Sequence, residues 1–251
     1  AEVARRDPEP AVRGAATRAL GAQGEAAVGP LRGRLSDPDS RVRLAAVGAL
    51  LGVGGPRALG EVGGLLATPP SAAGVEAARR VVQQADDDEA ARSLRDDAAA
   101  YLEGVLRFGS GALRAQVGVA LVSLPQVRSL DAALAQVLER EPDPAVRFQL
   151  ARALLRRAPG DPRAVAALRE VAEGEGMAAV QAAARLAERG DPRAPKQLAR
   201  ALDDDPPMLR AAAARALACQ ARRPDTARAV LVDPDPVVRL RAAGAILRCS
   251  G

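Results

Sequence analysis

The side chains in this 251-residue chain that could do chemistry are few and poorly matched. Histidine is absent, which removes Ser-His-Asp and Cys-His catalysis, imidazole acid–base work and the usual zinc and iron sites. The two cysteines, Cys219 and Cys249, make no metal-ligand set by themselves. They fall near the ends of two successive helices, and one helix diameter of about 10 Å exceeds the ~4.4–6.8 Å between Cα atoms that a disulfide needs. Both are therefore expected to be free core residues, and nothing demands an oxidising compartment. Acidic pairs at Asp96 and Asp97 and at Asp203 to Asp205 could exchange protons, but they fall where helix caps are expected. The glycine-rich stretches 52–55 and 60–64 lack a Gly-Lys-Ser/Thr and follow no strand, so neither reads as a phosphate loop. The expected protein is not an enzyme and has no cofactor and no metal.

Binding is the remaining chemistry, and arginine dominates it. The 36 basic residues, of which only Lys196 is a lysine, face 31 acidic ones for a net charge of +5. The signs are interspersed, with no block of five like charges, which describes a solvated helix surface better than a polyanion groove. Nucleic-acid binding is thus possible but not indicated. Tyr101, Phe108 and Phe148 are the only aromatics and tryptophan is absent, so there is little on which to stack a base. No apolar run is long enough to span a membrane, and no signal-peptide pattern appears. Cytoplasm is the default location. The chain begins at Ala1 with no Met, so a fragment of a longer chain is the favoured reading.

The elements that must position these arginines are visible as a repeat. Asp-Pro-Glu-Pro-Ala-Val-Arg at 7–13 returns as Asp-Pro-Asp-Ser-Arg-Val-Arg at 37–43. It returns again as Glu-Pro-Asp-Pro-Ala-Val-Arg at 141–147 and Asp-Pro-Asp-Pro-Val-Val-Arg at 233–239. A period near thirty residues is the mark of stacked units, each burying its apolar face against its neighbours. Clear anchors are Val12, Val42, Leu113, Val146, Leu209 and Val238, each followed by Arg; weaker ones fall near Gly74 and Ala178. Each unit reads as a helical hairpin whose second helix starts at or just before the anchor. Asp caps its free amides and Pro occupies its first turn. Apolar residues at anchor +0, +3, +4, +7 and +8 make the buried stripe. Asp86, Asp87, Asp88 and Glu89 are expected to cap a long helix reaching about Phe108. That insertion around 84–112 interrupts one solenoid over 1–251.

The Asp-Pro-Asp-x-x-Val-Arg-x-x-Ala-Ala-x-Ala-Leu pattern, with Gly-Asp-Pro-Arg-Ala linkers at 160–164 and 190–194, closely resembles bacterial HEAT repeats. The subgroup related to phycobilin-lyase subunits is included in that resemblance, which implies an all-α, right-handed α-solenoid of about eight hairpins. It implies second helices lining the concave face and a ladder pairing Asp7, Asp37, Asp143 and Asp235 with Arg13, Arg43, Arg147 and Arg239. The ladder should break near Gly74 and Ala178. A lyase-type enzyme-associated subunit is one function such a resemblance carries.

Two columns of the second helices then suggest a partner surface. Position +6 reads Arg18, Gly48, Arg80, Val119, Arg152, Ala184, Arg215 and Gly244, a dotted basic ridge. Position +2 holds Leu44, Phe148, Val180 and Leu240, more apolar than water alone requires. The expected contact residues are Arg18, Leu44, Arg80, Phe148, Arg152, Arg215 and Leu240. A protein or peptide with acidic and apolar residues would suit them. The expected function is a non-catalytic protein-interaction scaffold or adaptor, with nucleic-acid or polyanion binding through the arginines as the rival. The sequence does not fix the oligomeric state.

Overall fold

In the computed structural model of the chain, residues 2–84, 89–124 and 127–249 are described. They divide into two compact units, Ala1–Leu134 and Ala135–Gly251. The described residues contain helices and no strand. In the first unit these are α1 (Glu2–Arg6), α2 (Pro10–Leu20), α3 (Val28–Arg32), α4 (Ser40–Val53), α5 (Gly55–Leu66), α6 (Ala72–Gln84), α7 (Glu89–Phe108) and α8 (Gly111–Val122). The division crosses α9 (Asp131–Arg140). The second unit continues with α10 (Pro144–Arg157), α11 (Pro162–Glu173), α12 (Gly176–Glu188), α13 (Ala194–Arg200), α14 (Pro207–Cys219), α15 (Pro224–Ala227) and α16 (Pro236–Cys249).

The even-numbered helices are the second helices of eight hairpins. Every anchor, including the weak ones at Gly74 and Ala178, is the third residue of its helix. In the first unit α2, α4, α6 and α8 pack in succession, and in the second α10, α12, α14 and α16 do the same. Their apolar stripes form the seams. Val42, Ala45, Ala46 and Leu50 of α4 are buried, as are Leu209, Ala213, Ala216 and Leu217 of α14. In α16 Val238, Ala242, Ala245 and Ile246 are buried, while Arg241 turns outward.

The two acids of each Asp-Pro-Asp loop divide the work, which corrects the expected ladder. The second acid caps: Asp39 accepts from the Arg41 amide, Asp143 from the Ala145 and Val146 amides, and Asp235 from the Val237 and Val238 amides. The first acid accepts the amide two residues on, at Asp7, Asp37, Glu141 and Asp233. Where a rung forms, this first acid carries it. Arg13 grips Asp37 with two hydrogen bonds of 3.1 and 3.0 Å, and Arg210 grips Asp233 with two of 2.6 and 3.0 Å. Asp143 and Asp235 are therefore caps and not rungs, since a carboxylate pointed back at its own helix amides cannot also face the previous hairpin. Arg147 instead reaches Glu170, and Arg43 and Arg239 donate to loop carbonyls of their own hairpins.

The long helix is present as α7, twenty residues from Glu89 to Phe108. Its caps at Asp86, Asp87 and Asp88 lie outside the described residues. Asp96 and Asp97 are no caps: they sit exposed inside α7. Tyr101 of α7 explains the weak third anchor. Its hydroxyl accepts from the Ser71 amide at 2.8 Å, and a Cβ added to buried Gly74 would overlap the hydroxyl and ring carbons. Glycine stands at that anchor because the tyrosine fills the place of its side chain.

The cysteines are also corrected. Cys219, ending α14, is disulfide-bonded to Cys249, ending α16, with Cα atoms 5.1 Å apart. Helix axes are indeed about 8–10 Å apart, but Cα atoms lie on cylinders of roughly 2.3 Å radius. Facing Cα atoms thus approach to about half the axial separation where the seam is built of alanine.

Three outcomes follow from this packing. Gly74→Val should lower stability by about 1–3 kcal/mol through overpacking, and Tyr101→Ala in the same chain should recover part of that loss in urea denaturation. The disulfide closes a loop with a sequence separation of 30, so reducing it should lower the opening free energy of α16 amides by about 3–4 kcal/mol in hydrogen exchange. Acid should act through the rungs. Asp191 forms a third rung, accepting from Arg169 Nε at 2.8 Å. Burial alone would raise the Asp37 and Asp191 carboxyls, yet arginine and amide hydrogen bonds hold both below the ordinary range, and the Arg210 hydrogen bonds hold Asp233 below it too. Unfolded aspartates titrate at about 4, so as pH falls the unfolded chain takes up these protons first. The rungs' contribution is then complete above that pH and is lost as pH drops through the lower folded values. The Tm should hold from neutral pH to about 5 and then fall, less steeply in Asp37→Asn than in the parent chain.

Candidate functional site

In the +6 column Arg80 lies over a small neighbour, Gly48 of the preceding hairpin. A Cβ on Gly48 of α4 would stand 2.7 Å from the Arg80 Nη1 of α6. The absent side chain is the space into which the next hairpin's guanidinium folds. Arg80 is further oriented by Glu76, whose carboxylate accepts from its Nε at 3.2 Å and also from Arg79. Burial alone would raise the Glu76 carboxyl, but the Arg79 and Arg80 hydrogen bonds and charges keep it below the usual range and hence ionised.

Around Gly48 the first unit forms an open groove of about 570 Å³, lined by Arg18, Arg41, Leu44, Ala45, Gly48, Ala49 and Arg80. Three of the seven residues expected from sequence, Arg18, Leu44 and Arg80, meet here. Arg18, from α2, is exposed and has no carboxylate partner among the described residues. Leu44 is half-buried and provides, with Ala45 and Ala49, an apolar floor. Sequence reasoning missed Arg41. The signal was available, because Arg41 occupies the position just before an anchor, on the same exposed edge of α4. Its guanidinium is held by Asp39 through bonds of 3.2 and 2.9 Å, which pull the Asp39 carboxyl down to about 2. Counting Arg79, four guanidinium groups face Asp39 and Glu76, and the Glu9 charge also acts on Arg41, so cations still outnumber carboxylates by one.

The second unit holds the other four expected residues. Phe148 is only 3% exposed. It is buried and so offers no exposed contact, because position +2 of α10, α12 and α14 is buried in the packing between hairpins. Val180 and Ala211, at the same position, are buried for the same reason. Arg152 of α10 is half-buried, its Nε buried without a hydrogen-bond partner. Burial and then the Arg185 charge hold its guanidinium below its ordinary range. Arg215 of α14 is exposed, and Leu240 of α16 is 74% exposed. A smaller hollow of about 210 Å³ in this unit is lined by Glu173, Glu175, Gln197, Arg200 and Asp204 among others, a mixed-charge surface with no cationic surplus. Among the described residues no cluster of three or more Cys, Asp or Glu is placed to hold a metal ion.

A model of HEAT repeats matches residues 1–83 and 131–218. The X-ray structure of YibA from Escherichia coli is similar to the chain, with a TM-score of 0.58 at 17% identity, covering 98% of this chain and 92% of that one. The CpcE–CpcF complex of phycocyanin lyase from Nostoc sp. PCC7120 matches with a TM-score of 0.44 at 18% identity, covering 99% and 92%. Human deoxyhypusine hydroxylase matches with a TM-score of 0.37 at 20% identity, covering 92% and 97%. At these identities the likeness concerns the fold alone. No curated protein matches the chain.

Proposed function

The chain belongs to the HEAT-repeat family, and we propose that it is a non-catalytic scaffold that binds a partner protein through an acidic, apolar-containing segment laid in the groove of its first unit. The observation that carries this reading is the convergence of Arg18, Arg41 and Arg80 around the Leu44, Ala45 and Ala49 floor. Guanidinium groups on a rim bind carboxylates bidentately, while the floor offers the apolar contact that fixes register.

The acids of the repeat loops have structural work: Asp37 and Asp233 hold guanidinium groups between hairpins, and Asp39 and Asp143 cap helices. No helix among the described residues is long and apolar enough to cross a membrane. The Cys219–Cys249 bond favours an oxidising compartment over the cytoplasm expected by default.

The rival, polyanion binding, uses the same rim without the floor, so the two readings separate by salt and by Leu44. A fluorescent twelve-residue peptide of alternating Glu and Leu should bind the full chain. Arg18→Glu or Arg80→Glu should weaken it at least tenfold, about 1.4 kcal/mol, and Leu44→Ser should weaken it comparably. A dT20 oligonucleotide that binds more tightly than the peptide, loses about 10³-fold or more between 50 and 200 mM salt, and ignores Leu44→Ser would replace this reading with the polyanion one.

A further inference from the structure

In α12 the buried stripe runs one residue later than the weak anchor at Ala178. Ala179, Ala182, Ala183, Leu186 and Ala187 are buried, while Ala178 is only half-buried. Counted from Ala179, these are the +0, +3, +4, +7 and +8 positions of the other second helices. On that count position +6 of α12 is Arg185 and not Ala184. The same position is Arg152 in α10, counted from Val146, and Arg215 in α14, counted from Leu209. Helices α10, α12 and α14 pack in succession. The second unit therefore carries an unbroken row of arginines where a count from Ala178 leaves a gap.

This row is short of counter-charge. Among the described residues neither Arg152 nor Arg215 has a carboxylate partner, and Arg185 has one, Glu188, at 2.8 Å. The Arg185 and Glu188 side chains are 46% and 40% exposed. An ion pair so well solvated contributes little and leaves Arg185 able to take a second carboxylate. Arg152 is less comfortable. It is half-buried beside the Arg185 charge, and its Nε is buried without an acceptor. A guanidinium withdrawn from water without an anion costs free energy that a bound anion would offset. Three residues earlier on the same helix, Gln149 has a buried Oε1 without a donor. An acidic residue in an extended peptide offers a carboxylate and an N–H close together, whereas a phosphate backbone offers acceptors alone.

We propose that the row of Arg152, Arg185 and Arg215 binds an extended acidic segment of a partner protein, laid across α10, α12 and α14 with a carboxylate at every third residue. Neighbouring helices lie about 8–10 Å apart, and three residues of extended chain cover about 10 Å. Glu or Asp at that spacing meets one guanidinium per helix in charge-assisted hydrogen bonds. Phe148, the one aromatic residue of this unit, is buried, so no base could stack beside the row. The row lies wholly within the second unit, and the inference does not rest on the groove of the first.

The test uses the full chain, disulfide intact, and three end-blocked, fluorescent ten-residue peptides on a Ser/Gly background, read by anisotropy at low salt. One carries Glu at its second, fifth and eighth positions, one carries the same three Glu side by side, and one has Gln in their place. The spaced peptide should bind, the clustered one about fivefold more weakly and the Gln one at least about tenfold more weakly. Arg215→Glu should cost the spaced peptide at least about tenfold, and Arg152→Gln a similar factor. Neither change removes an ion pair, so the circular-dichroism melt of both variants should not fall below that of the parent. Glu188→Gln should tighten binding about threefold by freeing Arg185, a gain that a merely structural role for the row would not produce. Arg80→Glu and Leu44→Ser should leave this binding unchanged, so failure of the groove reading and failure of this one are distinguishable. Equal binding of the spaced and clustered peptides, indifference to Arg215→Glu, or loss through Arg80→Glu instead would overturn the proposal. So would a dT20 oligonucleotide that binds more tightly than the spaced peptide and displaces it, which would assign the row to polyanions.

Discussion

Everything in this fold rests on how two carboxylates separated by one proline are used. In Asp37-Pro38-Asp39 the first carboxylate turns toward the preceding hairpin and the second toward the helix it begins. One fixes the position of a hairpin relative to its predecessor, the other the point at which its second helix starts. The first is nearly dry: the Asp37 side chain is 1% exposed and that of its partner Arg13 10%. A pair so desolvated is a weak source of net stability but costs about 3–5 kcal/mol to break from one side. Its role is register. Misplacing a hairpin would strand a charge without solvent.

Register matters because the core has little bulk with which to enforce it. The seams are alanine, valine and leucine, and such side chains would tolerate sliding along a helix. Short side chains also let backbones approach, and that closeness accounts for several local features: Arg80 over Gly48, Tyr101 over Gly74, and two cysteines whose Cα atoms are 5.1 Å apart.

Much of the fold was legible in the sequence because hairpin boundaries are set locally. The apolar stripe at helical spacing, helped at some starts by proline or a capping side chain, places the anchor at the third residue of every second helix, even where the anchor is Gly74 or Ala178. What was not legible depended on distances across a seam. The cysteine pair needed the gap between facing surfaces and not between axes. Phe148 needed the knowledge that position +2 of α10, α12 and α14 is buried in the packing between hairpins, which the helical wheel of a single helix does not contain. The assignment of rungs failed for a related reason: in Glu141-Pro142-Asp143 both acids look alike in sequence, and only the neighbouring hairpin distinguishes them. Of the candidate site, the wheel found Arg18, Leu44 and Arg80, because a groove formed along consecutive helices repeats their period. It missed Arg41, which lies off the chosen columns.

The contact of Tyr101 with Gly74 has a consequence for inheritance. The two positions are 27 residues apart along the chain yet share one volume. A side chain cannot grow at 74 while the ring is present, and shrinking the ring alone opens a hole and strands the Ser71 amide. Single steps from this arrangement toward the standard repeat, with a branched residue at the anchor, therefore pass through a worse intermediate in either order. The third hairpin is held in its irregular form by epistasis, and descendants of this chain should keep the pair or replace it whole.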